Sequence, residues 1–161
     1  MSLHQQSRFD ALLGRFEEQT GDMLRHRREA EGAATGFIKR FQHVRQTVLR
    51  PCFEELADVF CARGVVAGLI YGYSYAAEAI LKQESLALKL GTRTRDPESA
   101  QEPQAAVGVV ADGASRQLRL GVRSLAHPEQ EHVVELPVME QLTPELVEEE
   151  LITALEQALL A

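Results

Sequence analysis

Histidine and carboxylate crowd together at one place in the chain, His127-Pro-Glu-Gln-Glu-His132. Metal coordination needs such groups to converge with ligands from elsewhere, and this proline-broken polar run reads as an exposed turn entering a strand, with no distant ligand set to join it. His26 and His43 fall on exposed or flanking helix positions and need no role. Cys52 and Cys61 lie nine residues apart on one predicted helix, so they project from nearly opposite sides and do not bridge. Cys52 sits on an apolar stripe, where a thiol behaves as a small hydrophobe. No glycine-rich phosphate loop follows a strand, and Gly108, Gly113 and Gly121 suit strand and turn geometry. The expectation is a protein that is not an enzyme, with no catalytic residue, no metal site and no cofactor.

Two further groupings could bind rather than react. Tyr71, Tyr73 and Tyr75 would stand along one face of a strand, as a stacking platform for bases or an aromatic peptide groove. A sheet face packed under a helix or against a sister subunit uses tyrosine just as well, and that reading outweighs the first. The basic run Arg25, Arg27, Arg28, Lys39, Arg40, Arg45 and Arg50 is met by only Glu29 and Glu31 in that interval. Such a helix could lie along phosphates through Arg25, Arg28, Lys39, Arg40 and Arg45. Net charge opposes this, being −7 for the chain, with nine acids and no Lys or Arg from Ser124 onward. A solvated helix surface, or pairing with the acidic C-terminal half, is the simpler account.

The element that would position these residues is a long helix from about Phe9 to about Arg63. Stepping four and three from Phe9 gives Leu13, Phe16, Thr20, Met23, Arg27, Ala30, Ala34, Phe37, Phe41, Val44 and Val48, apolar except at Thr20 and Arg27. That spacing is the 3.5-residue period of a coiled-coil seam. A lone charged seat such as Arg27 more often sets register than chemistry. Beyond Val48 the step lengthens through Cys52, Leu56 and Val59, close to an eleven-residue period, and Pro51 should kink the helix. Gly32-Ala33-Ala34-Thr35-Gly36 could turn a helical hairpin, but the heptad frame passes through it unbroken. One helix is therefore expected, spanning roughly 80 Å at 1.5 Å per residue.

Gly64 is placed to cap that helix. Val65–Tyr73 and the alternating Leu86, Leu88 and Leu90 read as strands, with an ambiguous short helix or turn from Ala76 to Gln83 between them. Residues 91–104 predict a mobile loop. Ala105–Ala111 and Arg116–Leu125 flank the turn Asp112-Gly113-Ala114-Ser115, and His132–Val138 gives another strand. Thr143-Pro144 opens a closing helix whose inner face is Val147, Leu151, Ala154, Leu155, Ala158 and Leu159. The predicted fold is α+β: residues 1–63 a long coiled-coil-like helix, and residues 64–161 a small antiparallel sheet of four to five strands with a C-terminal helix packed on it.

These patterns predict a homo-oligomeric protein, dimeric through the seam and serving as an interaction, adaptor or chaperone-like protein toward another protein. Nucleic-acid association through the basic section is the alternative. The expected oligomer interface is Phe9, Leu13, Phe16, Met23, Ala30, Ala34, Phe37, Phe41, Val44 and Val48. No stretch approaches the eighteen apolar residues of a membrane span, and no signal-like start is present, so the expected location is cytoplasmic, with no membrane partner.

Overall fold

The computed structural model describes residues 2–73, 82–92, 105–124 and 131–159, without the side chains of Tyr73, Thr92 and Leu159. Tyr75, most of the Ala76–Gln83 segment, residues 93–104 of the expected loop, and His127 lie outside the described residues. Gly91 and Thr92 belong to a strand rather than to that loop. The fold is α+β. A helix of 60 residues leads into a five-stranded antiparallel sheet, and a C-terminal helix packs on the sheet.

The long helix comprises α1 (Leu3–Val44), one π-helical turn (Arg45–Leu49) and α2 (Arg50–Ala62). Ser2 caps its start, its hydroxyl accepting from the Gln5 amide while the Gln5 side chain accepts from the Ser2 amide. Gly32–Gly36 is helical throughout, so no hairpin forms there. Gly64 ends the helix at φ +83°, the left-handed cap that glycine adopts without strain.

A π turn stands just ahead of Pro51. Its widened ring is closed by the Arg50 N–H donating to the Arg45 carbonyl, five residues back, and Pro51 then enters α2 in the first turn, where a missing N–H is harmless. The turn also keeps the buried stripe in line. Phe41, Arg45, Leu49, Phe53 and Ala57 are all buried, at successive steps of four. On a regular helix each such step drifts ~40° around the axis, and the wider turn takes part of that back. The inner face is therefore shifted by one position from the predicted frame. Leu49, Phe53 and Ala57 are buried; of the predicted seats Cys52 is buried as expected, whereas Val44, Val48 and Leu56 are only partly so and Val59 is exposed.

The strands β1 (Val65–Tyr73), β2 (Gln83–Thr92), β3 (Ala105–Asp112), β4 (Gln117–Ser124) and β5 (Glu131–Glu135) form a meander in chain order. Alternate residues of β2, β3 and β4 point inward, led by Leu86, Leu88, Val107, Val109, Leu120 and Val122, all essentially without exposure. The β3–β4 turn is held by the Asp112 carboxylate, which accepts from the Ala114 amide at 3.0 Å and the Ser115 hydroxyl at 3.1 Å. After a 3-10 turn (Met139–Gln141), α3 (Pro144–Leu159) starts with Thr143 capping the Leu146 amide at 3.3 Å. It lies on β4 and β5, while α2 covers β1 and β2. The end of α1 reaches β3. All described helices therefore share one face of the sheet.

One charged pair sits inside this layer. Arg45, 5% exposed, lies in the π turn with its guanidinium 3.2 Å from the Glu84 carboxylate of β2, and Gln42 donates to the other Glu84 oxygen at 2.7 Å. The guanidinium also stacks between the rings of Phe41, at 5.6 Å, and Tyr71, at 5.2 Å. Removing one member of a buried pair strands the other charge in the core. Glu84→Leu should therefore cost ~3–5 kcal/mol in urea unfolding, and Arg45→Met combined with Glu84→Leu should recover most of it. A loss below ~1 kcal/mol for the single variant would mean that the pair behaves as a surface contact.

Candidate interaction surfaces

The seam divides in two. From residue 2 to residue 29 every side chain is exposed, and Ala30 is half-buried. Phe9 is 56% exposed, Phe16 65% and Met23 72%, with Leu13 on the same stripe and Leu12 and Leu24 on its two shoulders. Those two shoulder leucines widen the predicted seam. From Ala34 onward the helix is committed to its own domain. Ala34, Phe37 and Phe41 are buried, and Val44 and Val48 pack against the core. These five, expected at an oligomer interface, instead hold the helix on the sheet, together with Ile38, Leu49 and Phe53, which the frame had not singled out.

The basic residues divide between core and surface. Arg45 was expected on the basic face and is instead in the core. Arg40 pairs with Glu140 at 3.0 Å, Arg50 with Glu54 at 2.7 Å, Arg27 with Glu31 at 3.3 Å and Arg25 with Asp22. Arg28 and Lys39 are exposed. The tyrosine face is likewise turned inward where it is described. Tyr71 packs against the core in line with Val65, Ala67 and Leu69, under α2. Tyr73 continues the strand. His132 is half-buried on β5. Among the described residues no three His, Cys, Asp or Glu side chains converge as a metal site.

Two surfaces emerge that periodicity along the chain does not reveal. The outer sheet face, which no described helix covers, carries the cross-strand row Ile70, Ala87, Gly108, Gly121 and Val133. Its middle is built of small residues. A Cβ on Gly108 would meet Ala87 Cβ at 3.0 Å, and one on Gly72 would meet the Ser85 hydroxyl at 2.2 Å.

The second surface is an open groove of about 350 Å³ between α2 and α3, with Cys52, Leu56, Val59, Leu151 and Ile152 as its apolar wall and Glu55 and Glu148 at its rim. A hydrogen bond between the two carboxyls, with burial and repulsion from Glu55 and Glu145 adding to it, holds the Glu148 carboxyl above its ordinary range. Burial, then the negative charge of Glu148, Glu55 and Glu145, pushes the Cys52 thiol up to about 11. Its sulfur donates to the Pro144 carbonyl at 3.7 Å. This is a resting thiol, far from the low-pKa state that nucleophilic cysteines need. Cys61 is exposed.

No protein-family model, curated protein or solved structure matches the chain.

The groove yields two checks. At pH 8 a thiol reagent such as Ellman's should titrate Cys61 in the folded chain and Cys52 only after unfolding. Rapid reaction of both would contradict the burial of Cys52. Because folding raises the Glu148 pKa, the folded chain binds that proton more tightly than the unfolded chain. The stabilisation is complete at acid pH and is lost as pH rises through the raised value. Glu148→Gln should accordingly raise the melting temperature at pH 7, with the gain shrinking toward pH 4. An equal gain at both values would show that the carboxyl pair does not titrate.

Proposed function

We propose that this chain is a non-enzymatic interaction protein that self-associates through the exposed first half of its long helix and presents its small α+β domain to another protein, as an adaptor or chaperone does. The observation that carries the reading is the uncovered stripe of Phe9, Leu13, Phe16 and Met23. An isolated helix in water is marginal even for alanine-rich sequences, and Gly14 and Gly21 each weaken this one by ~1 kcal/mol relative to alanine. A projecting helix with neither tertiary contacts nor strong propensity needs a partner to stay helical. A contiguous apolar stripe of this kind marks an interaction site on a water-exposed surface.

Self-association is favoured because the stripe keeps the heptad spacing that lets two identical helices interlock. Pairing of Arg25, Arg27, Arg40 and Arg50 with carboxylates, and burial of Arg45, weigh against phosphate binding as the main role.

Light scattering on a sizing column tests the proposal. The wild-type chain should run at a multiple of 17.9 kDa. Phe16→Glu should weaken association by at least ~10-fold, since each buried phenylalanine contributes ~1.5–3 kcal/mol, while the domain's near-ultraviolet signal stays unchanged. A wild-type monomer at tens of micromolar, or a Phe16→Glu variant of undiminished mass, would remove the proposal. Phe37 and Phe41 are unsuitable for this test, because charge there would unfold the domain itself.

A further inference from the structure

We infer that the helical arms pair parallel and in register, so that both domains of the dimer sit at the same end. This rests on the self-association proposed above and adds its geometry. The charge on the two shoulders of the stripe separates the two orientations. With Phe9 and Phe16 at d and Leu13 at a, the shoulder at e carries Asp10, Glu17 and Glu31, whereas the shoulder at g carries Gln5, Leu12 and His26 and no acid.

In a parallel pair e of one helix faces g of the other, and in an antiparallel pair e faces e and g faces g. Antiparallel pairing therefore brings acids against acids along one side. Parallel pairing sets them against neutral amide, leucine and imidazole, and the row one position further out on that side carries Arg8 and Arg15 near Asp10 and Glu17, then Asp22 and Glu29 further along. It also places His26 five residues before Glu31 of the second copy, the g-to-e′ step across which coiled-coil ion pairs form.

The two polar seats on the stripe fit this arrangement. The Thr20 hydroxyl donates to the Phe16 carbonyl of its own helix at 2.8 Å, so it asks for no hydrogen-bond partner from the second copy. Arg27 opposite its own copy would repel, but its guanidinium reaches Glu31 of the same helix at 3.3 Å and is drawn toward the shoulder. A second copy meeting these seats in register finds each hydroxyl already hydrogen-bonded and each arginine already paired with a carboxylate.

Disulfide trapping decides the geometry. In a Cys61→Ser background, with buried Cys52 retained, Gln6→Cys and Arg27→Cys each place a thiol on an a seat at opposite ends of the arm, ~30 Å apart. Parallel in-register arms bring each thiol next to its own copy, within the 4.4–6.8 Å Cα separation that a disulfide spans. Each variant alone should then oxidise mostly to a covalent dimer on a non-reducing gel, and mixing the two should give no Gln6→Cys–Arg27→Cys product. A covalent dimer that forms only when Gln6→Cys is mixed with Met23→Cys, a d seat that antiparallel packing sets against a, would show antiparallel arms, overturning this inference while leaving self-association standing. Dimers by light scattering with no trapping in any sample would overturn it as well, placing the contact on the outer sheet face or the α2–α3 groove. Monomers by light scattering would remove the self-association on which it rests.

Discussion

A helix that must stay on one sheet from Ala34 to Ala62, a run of ~40 Å, has to solve a problem of rotation. Its side chains come round every 3.6 residues, so a stripe stepped in fours walks off the contact face within a few turns. Here the π turn at Arg45–Leu49 returns the stripe to the sheet, and Pro51 follows it directly. Arg45 sits at that turn and ties it to β2 through Glu84, Gln42 and two aromatic rings. An arginine so enclosed contributes little net stability compared with a hydrophobic substitute, but it tolerates only one rotation of the helix against the sheet. Phe41, Leu49, Phe53 and Tyr71 are all placed by that rotation.

The same helix is covered along only part of its length. Its second half spends its apolar stripe on the chain's own sheet, and its first half leaves an equivalent stripe in water. Small residues mark the change, since Gly32, Ala33, Ala34 and Gly36 occupy the stretch where burial begins. The arm is thereby held in one direction relative to the domain by continuous helical backbone rather than by a loop.

Helix length, strand alternation and the two caps at Gly64 and Thr143 were legible because each is a local signal. The point at which the seam passes from water onto the sheet was not. A coiled coil and a helix lying on a sheet differ in period by only ~20° per heptad, so Phe16 and Phe37 look alike in sequence although one is exposed and the other buried. Arg45 was hidden for a related reason, since arginine is almost never fully buried unless paired, and its partner lies in a different element. Parity could have exposed that partner. Glu84 continues the inward alternation of Leu86, Leu88 and Leu90, and an acid on the inner face of a strand calls for a cation above it. The Glu55–Glu148 rim joins two helices distant in sequence, so no local pattern reports it.

The absence of any break between arm and domain makes angular phase a property of the chain. Each residue along the helix advances the side chains by ~100° and 1.5 Å, so the number of residues between Met23 and Phe37 fixes the azimuth at which the sheet stands relative to anything gripping the arm. Two domains carried on clamped arms would present their outer sheet faces at a set angle, much as two blades are keyed to one shaft. Loss of a single residue between those positions would turn each blade by more than a quarter revolution while changing its height by less than the width of an atom.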